Sequence, residues 1–430
     1  MDTTNSRFHL MKWLVWALAI LFLFYEFFLR VFPAVMVSEL MNAFHVDALV
    51  LGTLSAFYFY SYAPMQLPVG LLLDRFGARK LLTFAAIICG TGTFLFAGSN
   101  SLGIAELGRF FMGIGSAFAF VGMVYVSSHW FHGAKLALLV GIGNSVGLLG
   151  AAFGEGPLSI VVEVIGWRET VYILATVGIA LGVVIFMCVR TEHHSITKRV
   201  KQHESLSHAF SSFQNVCMNV HTWLNAFGAL LFFLTTNVLA GLWAVPFLQT
   251  VHGMSYEVAA FAVTMLYIGE IVGGPIIGVI SDRIKKRKPL LFIGCIGALI
   301  CIVPLIYSGG LAPWVIFVLF FLIGFFSAAE LLNFPLAVEL NTVEAKGSAI
   351  AVTNFVVAIG ASVMQPLVGY FLDMSAGSIR IGRNTDIYTA ADYKTALIVF
   401  PISLVLAVIV FLFLKENTAR LESHETTPEP

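Results

Sequence analysis

Long apolar runs are the feature of this chain that most constrains its fold. A helix needs roughly 20 mainly apolar residues to cross a bilayer, and the chain holds about twelve such runs by that rule. Hydrophobic residues make up 59% of the chain and charged residues only 11%, whereas soluble domains are about 45–50% apolar and about 25% charged. The sequence therefore predicts an all-α protein embedded in a lipid bilayer. The predicted spans cover 12–36, 49–73, 79–98, 102–128, 135–162, 169–189, 223–250, 257–281, 289–308, 312–337, 347–373 and 395–415.

Composition argues against several other classes of protein. The formal net charge is zero, which disfavours nucleic acid as a partner. The five cysteines form no CxxC pair, so we expect no disulfide framework, no metal site and no cofactor. The first apolar run is too long for the core of a signal peptide and is predicted to stay as a membrane helix.

The basic residues predict the orientation of the chain. Loops on the cytoplasmic side of a membrane are enriched in Lys and Arg. If the N-terminus is cytoplasmic, 18 of the 24 basic residues lie on that side, four lie opposite and two lie inside spans. We therefore expect both termini and the segment 190–221 to be cytoplasmic, and the segment 374–393 to face outside.

The chain repeats its own pattern at an offset of about 208–213 residues. The stretch GLLLDRFGARK at 70–80 recurs as GVISDRIKKRK at 278–288, with Gly, Asp, Arg, Arg and Lys at the same spacing. We expect two pseudo-symmetric six-helix bundles at 1–189 and 222–415, joined by a cytoplasmic linker at 190–221 and followed by a polar tail at 416–430. A solute site is expected between the bundles, near the middle of the bilayer.

The repeated stretch resembles the signature loop of the major facilitator superfamily (MFS), and the resemblance covers the whole chain. It implies a secondary transporter working by alternating access, in which these loops help to hold the cytoplasmic side shut. Arg109, followed by two glycines, is similar to the fourth-helix motif of that family, and we expect a structural role for it. The resemblance assigns the gating role to Gly70, Asp74, Arg75, Arg79, Asp282, Arg283 and Arg287.

The second span resembles one branch of the family. FYFYSY at 57–62, followed by Gln66, Pro68 and Gly70, is similar to phagosomal amino-acid transporters of intracellular bacteria and to an animal lysosomal dipeptide transporter. This resemblance implies an amino acid or a short peptide as the solute. The glycines of the fifth span depart from the antiporter motif of drug exporters in the family, which disfavours drug efflux.

Charged residues deep in a span normally face a cavity or a partner, because burying each one costs at least a few kcal/mol. Glu26 and Arg30 are four residues apart and can pair. Arg30 aligns with Trp243 in the repeat, and the two would suit a carboxylate on an apolar body. A static ion-pair network that braces the helices is the alternative. Arg30, Arg109 and Glu155 all fall in the outer halves of their spans, where they could form one cluster.

Three carboxyl groups are candidates for proton coupling. Glu270 and Glu330 have no Lys or Arg neighbour in their own helices, and Glu155 lies in the glycine-rich fifth span. An unpaired carboxyl in a low-dielectric environment can bind and release a proton, although a permanently protonated packing residue is the alternative. Tyr58, Tyr62 and Asn237 are further candidates for solute binding, with interhelical packing as their alternative.

These patterns together favour proton-coupled uptake of an amino acid, a short peptide or a related organic anion or zwitterion. Efflux of drugs or metabolites by proton antiport is the first alternative, and a non-transporting membrane receptor or sensor is the second. We expect no enzymatic activity, a monomeric transport unit, and a location in a bacterial inner membrane.

Overall fold

The computed structural model describes residues 3–131, 135–189, 213–342, 345–377 and 388–416. Every regular element within these ranges is a helix, so the predicted all-α class is confirmed. Parts of three predicted segments lie outside the described residues: 190–212 of the linker, 378–387 of the outer loop, and the tail after residue 416.

Six spans form the first half of the chain. They comprise Thr3–Val31, Phe32–Met36 and Val37–Phe44 (first); Ala48–Met65 and Val69–Phe76 (second); Ala78–Gly98 (third); Leu102–Trp130 (fourth); Lys135–Phe153 and Gly156–Ile165 (fifth); and Trp167–Cys188 (sixth). The second span is broken next to Pro64 and Pro68. Its backbone turns there because proline removes a hydrogen-bond donor and crowds the preceding turn.

Six further spans form the second half. They comprise Val220–Leu234, Thr235–Trp243 and Ala244–His252 (seventh); Tyr256–Ile284 (eighth); Lys288–Tyr307 (ninth); Pro313–Ser327, Ala328–Leu332 and Asn333–Glu339 (tenth); Lys346–Ala376 (eleventh); and Ala390–Ala396 and Val399–Phe413 (twelfth). Within the described ranges, eleven helices are long and apolar enough to cross a membrane, and the broken second span is the twelfth. The predicted fold of twelve spans in two bundles is confirmed.

Besides the 3₁₀ segment Phe32–Met36 of the first span, two spans contain segments near their centres that are not regular α-helix. The seventh contains a nine-residue π-helix, Thr235–Trp243, in which each N–H bonds the carbonyl five residues back. The tenth contains a 3₁₀ segment, Ala328–Leu332, in which side chains three residues apart lie in line. Local irregularities of this kind often mark functional sites, and the apolar pattern of the sequence predicts neither of them.

The two halves touch along the second and eleventh spans. A Cβ atom on Gly52 would lie 2.6 Å from the carbonyl oxygen of Gln365. A Cβ atom on Gly369 would collide with the carbonyl oxygen of Ala48. Glycine is therefore required at both positions, because it lets the two backbones approach directly.

Hydrogen bonds between the halves cluster on one side of the molecule. Following the predicted orientation, we call outer the side where the second span begins and the eleventh ends. There the carboxylate of Asp373 accepts hydrogen bonds from the backbone N–H groups of Leu49 (2.8 Å) and Ala48 (3.3 Å). The hydroxyl of Tyr388 donates to the same carboxylate and accepts from Ala48 N–H (3.1 Å). A side chain of the second half thus binds the first turn of the second span.

Other contacts extend this outer closure. The Tyr256 hydroxyl donates to the Val35 carbonyl, and Gly156 N–H donates to the Thr264 hydroxyl (3.0 Å). Both contacts join the first half to the eighth span near its outer end. The structure is therefore closed towards the outer side.

Candidate solute-binding site

A cavity of about 70 Å³ lies between the two halves. Its walls combine side chains from the first, fifth, seventh, eighth and tenth spans. A site built from both halves changes shape whenever the halves move against one another, as alternating access requires. The polar residues that line it are Arg30, Asn144, Thr236, Asn237, Tyr267, Glu270 and Glu330.

Arg30 is the cation of this cavity, and its predicted pairing with Glu26 is confirmed. Its Nη2 and Nε atoms donate to Glu26 Oε1 at 2.6 and 3.2 Å. The same carboxylate oxygen accepts a hydrogen bond from the Tyr58 hydroxyl at 2.5 Å. Glu26 is buried, whereas the Arg30 side chain keeps 17% of its surface exposed. The pair thus fixes one side of the guanidinium and leaves the other side towards the cavity.

Aromatic rings hold the guanidinium in place. Its central carbon lies 4.5 Å from the Phe27 ring centre and 5.3 Å from the Tyr62 ring centre. Arg30 Nη2 also lies 3.4 Å from the Tyr62 hydroxyl, and the Asn354 side chain of the eleventh span lies close to that hydroxyl. A cation sandwiched between rings keeps its charge in an apolar setting. Glu26, Tyr58 and Tyr62 therefore position Arg30 from behind and do not line the cavity themselves.

Two carboxyl groups of the second half face the same cavity. Glu270 and Glu330 are buried, with 4% and 2% of their surfaces exposed. Glu270 Oε1 accepts a hydrogen bond from the Thr236 hydroxyl at 2.6 Å, whereas Glu330 Oε2 has no hydrogen-bond partner among the described residues. The two are close enough to affect one another electrostatically. Since like charges disfavour ionisation of both members of such a pair, the pair is suited to holding a proton.

The π-helix places Thr236 and Asn237 in the cavity wall. Asn237 is a predicted site residue, and the structure places it there. Its backbone carbonyl accepts a hydrogen bond from the Gln365 side chain at 3.1 Å, which ties the seventh span to the eleventh. Sequence reasoning missed Thr236 and Tyr267. Tyr267 precedes Glu270 by three residues, a spacing that puts both on one helical face.

Trp243, by contrast, does not line the cavity. Its ring is buried, with 1% exposed, and its indole N–H donates to the Gln365 carbonyl at 3.2 Å. The predicted arrangement of this indole facing Arg30 across a cleft is therefore wrong. Trp243 ends the π-helix, whose wider turn rotates the residues that follow it relative to the repeat partner in a regular helix.

Arg109 is fully buried and points away from the cavity. Its Nη1 donates to the Leu29 carbonyl at 2.8 Å, and its Nη2 donates to the Ser55 carbonyl at 3.2 Å. The guanidinium also lies 4.9 Å from the Tyr58 ring centre. These contacts join the fourth span to the first and second. They fit the structural role expected for this residue, which stays a prediction.

Glu155 does not join Arg30 and Arg109, so the expected cluster of the three is wrong. It lies at a break in the fifth span, followed by Pro157 in the first turn of the next helix. Both of its carboxyl oxygens lack a hydrogen-bond partner among the described residues, and the residue is 0% exposed. Tyr256 and Tyr267 of the eighth span lie close enough to Glu155 to interact with it electrostatically.

The two signature loops differ in their contacts. In the first half, Asp74 and Arg75 are exposed, and neither forms an ion pair with a described residue. Arg79 Nε donates to the Phe186 carbonyl of the sixth span at 3.0 Å. An unengaged Asp74 fits a state in which the outer side is the closed one.

In the second half, Arg287 forms ion pairs with Asp282 (2.6 Å) and Glu339 (3.2 Å). It also donates to the Ser281 hydroxyl at 2.6 Å. Burial alone would lower the pKa of Arg287, but its two acidic partners outweigh burial and raise it. This loop is therefore tied to the inner end of the tenth span. Arg283 is exposed.

Comparisons with known proteins agree with this architecture. Residues 17–365 and 226–429 match the family model described as Major Facilitator Superfamily. The chain is 26% identical over 276 residues to the probable sulfoacetate transporter SauU of Cupriavidus necator, which covers 60% of this chain and 64% of that protein. The match thus spans less than two thirds of that relative.

A second relative and a solved structure match over nearly the full length. The chain is 21% identical over 452 residues to the probable galactarate/D-glucarate transporter GudP of Escherichia coli K12, covering 97% of this chain and 95% of that one. A crystal structure of a bacterial homologue of the human lysosomal transporter Spinster, in an inward-facing and unoccupied conformation, superposes with a TM-score of 0.76. At 18% identity it covers 97% of this chain and 99% of its own, which shows the same fold.

Proposed function

The chain belongs to the major facilitator superfamily, and on that premise we propose that it couples the uptake of an amino acid, a short peptide or a related organic anion or zwitterion to a proton gradient. The family makes it a secondary transporter of a small solute. One observation carries the finer proposal: Arg30 of the first half and the carboxyls of Glu270 and Glu330 of the second half line one cavity.

Arg30 supports a carboxylate on the solute. A guanidinium offers a rigid planar set of donors that matches a carboxylate, and the Glu26 contact uses only one edge of it. The relatives named above carry sulfoacetate and galactarate or glucarate in their names. Each of these compounds is a dianion with at least one carboxylate, and the proposal takes from them only the carboxylate.

Glu270 and Glu330 favour a zwitterion over a dianion. When ionised, these carboxyls repel a second negative charge on the solute and attract an ammonium group. A zwitterion held by Arg30 at one end and by the carboxyl pair at the other would bridge the two halves. Because a ligand shifts a conformational equilibrium only through contacts that differ between states, such bridging links solute binding to closure.

The same pair of carboxyls provides proton coupling. One carboxyl can hold a proton, which removes the like-charge repulsion, while the other stays ionised and binds the solute's ammonium group. Proton and solute then occupy the site together and cross in the same direction. Proton antiport efflux would use the same residues with the opposite direction of flux, so the direction of solute-driven proton movement separates the two functions. A sensor would bind the solute without any net flux.

Thermal unfolding of the purified protein in the presence of amino acids, dipeptides and organic acids tests the proposal, because a ligand that binds only the folded state raises Tm. We expect compounds with a carboxylate to raise Tm, and we expect Arg30→Lys to abolish most of that rise. The matched control is Arg168→Lys. Arg168 binds the Ala97 and Ser99 carbonyls outside the cavity, so this variant should keep the ligand response. A screen in which no carboxylate compound raises Tm would contradict the proposal.

A further inference from the structure

We propose that protons leave Glu330 for the cytoplasm through the interior of the second half, along a water-binding route between the seventh and tenth spans that the solute does not use. The inference rests on the proton coupling proposed above. The side chains that form the route, here called the polar file, are Glu330, Asn333, Asn225, Thr222, Asn341 and Asn219.

The polar file consists of two facing rows. Asn219 caps the start of the seventh span, and Thr222 and Asn225 follow at intervals of three residues, which places them near one helical face. On the tenth span, Glu330 belongs to the 3₁₀ segment and Asn333 follows it by three residues. Residues three apart along a helix are neighbours, so the two side chains lie near one another on the same side of the span.

Hydrogen bonds join the two rows at two levels. Asn225 Nδ2 donates to the Asn333 carbonyl at 2.9 Å, and Asn333 Nδ2 donates to the Glu330 carbonyl at 2.8 Å. Nearer the cytoplasm, the Thr222 hydroxyl and the Asn341 amide bond one another, and Asn219 Nδ2 lies 3.3 Å from Asn341 Oδ1. The file thus reaches from the cavity to the first residues of the seventh span.

The file leaves a row of acceptors for water. Because the amide groups of Asn225 and Asn333 turn their nitrogens towards backbone carbonyls, their Oδ1 atoms face elsewhere. These two oxygens and Glu330 Oε2 have no partner among the described residues, and the three residues are 0%, 0% and 2% exposed. A buried polar atom without a hydrogen bond destabilises the folded state, and buried water is what satisfies polar atoms of this kind in folded proteins.

Interhelical packing alone does not call for this arrangement. Amide pairs that only join helices satisfy one another, as Thr222 and Asn341 do. At Asn225 and Asn333, in contrast, the donors bond backbone carbonyls and the side-chain oxygens have no partner among the described residues. The groups that face Glu330 are Glu270 from the eighth span, Cys295 from the ninth and Arg30 across the cavity. His221 lies at the inner end of the file. The charge on Glu270 favours a proton on the pair, and the file gives that proton an exit.

The step itself is a proton transfer. The O–H bond of the protonated Glu330 carboxyl breaks, and the proton passes to the first water while the carboxylate remains. Each water passes a proton to the next, and the last one releases a proton to the cytoplasm near Asn219. The carboxylate is reprotonated from the cavity in the following cycle.

The test uses the full-length protein in liposomes with a pH-sensitive dye inside. Two fluxes are compared: solute-driven proton movement, and exchange of labelled for unlabelled solute, which requires no proton release. Thr222→Val removes a hydroxyl from the file without changing its volume. Thr353→Val is the matched control, because among the described residues the buried Thr353 hydroxyl bonds just the Ala349 carbonyl of its own helix. Asn225→Leu interrupts the file more strongly, and Asn225→Ser keeps a polar group with room for water.

We expect Thr222→Val and Asn225→Leu to slow solute-driven proton movement by about tenfold or more, because the rate falls exponentially with an added barrier to proton transfer. Exchange of solute should stay near the wild-type rate in both variants. Asn225→Ser and Thr353→Val should retain both fluxes. If solute-driven proton movement in Asn225→Leu proceeds at the wild-type rate, the route is overturned and proton coupling still stands. Parallel loss of both fluxes in Thr222→Val and Asn225→Leu would assign the file to helix packing and also overturn it. Absence of solute-driven proton movement in the wild type would instead remove the proposed coupling.

Discussion

The carboxylate of Asp373 provides the sharpest test of how the outer side closes. It accepts two backbone hydrogen bonds from the first turn of the second span, in the opposite half. Asp373→Asn keeps one acceptor oxygen but removes the charge that favours a helix N-terminus. Hydrogen bonds to charged groups contribute about 1.5–3 kcal/mol each, and this site is partly exposed. A loss of about 1–2 kcal/mol is therefore expected, which shifts the equilibrium towards outer opening by about 5- to 30-fold.

The assay measures access to the cavity from the outer side. Ala151 lines the cavity and is 1% exposed, so a cysteine placed there by Ala151→Cys reacts with a membrane-impermeant thiol reagent only when that side opens. The labelling rate should rise with Asp373→Asn. Asp47→Asn is the matched control: Asp47 caps the same helix from its own half, accepting from Val50 N–H at 2.9 Å, and asparagine is itself a good cap.

A labelling rate that stays the same in Asp373→Asn and in the wild type would refute the argument, since the bond would then contribute equally to both states. Equal increases in Asp373→Asn and Asp47→Asn would also refute it. In that case the start of the second span, and not its link to the other half, would control the opening.

Three further predictions concern the cavity and the signature loop. Amidation of the solute carboxylate should weaken binding to the wild type but add little to the loss in Arg30→Ala, and strictly additive losses in binding measurements would show that Arg30 does not contact the carboxylate. Glu270→Gln or Glu330→Gln should preserve solute exchange and abolish accumulation driven by a pH gradient; accumulation by both single variants would exclude either residue as the coupling site. Asp74→Asn should slow uptake without loss of folded protein from the membrane, because the loop should stabilise one conformation by about 1–3 kcal/mol, and normal uptake kinetics would remove its gating role.

The sequence predicts the fold because the dominant constraint is local. Each span needs only its own apolar residues to be recognised, and the recurrence of 70–80 at 278–288 reveals the two halves. The pairing of Arg30 with Glu26 is predictable for the same reason, because residues four positions apart on one helix lie next to one another.

The shared cavity is not predictable in this way. Arg30 and the carboxyls of Glu270 and Glu330 line one cavity because of how the first, eighth and tenth spans pack. No local sequence pattern predicts that packing. Trp243 and Glu155 show how a local departure from regular α-helix makes a prediction from residue spacing wrong. A π-helix ends at Trp243 and a helix break precedes Glu155, and either change rotates a side chain away from the face that a regular helix would give it.

The second and eleventh spans meet backbone to backbone at Gly52 and Gly369. Closure of the outer side therefore depends on the volume of the residues at these two positions more than on their polarity. Adding one methyl group at either position places an atom where backbone atoms of the other half already lie. Any larger residue at either position, polar or apolar, would hold the two backbones apart, and the halves could not reach the same contact distance. Because a gap of about 0.5–1 Å already forfeits roughly a quarter to a half of the dispersion attraction, two halves held apart here lose part of the contact energy between them. The two glycines thus set how closely the backbones of the second and eleventh spans approach when the outer side is closed.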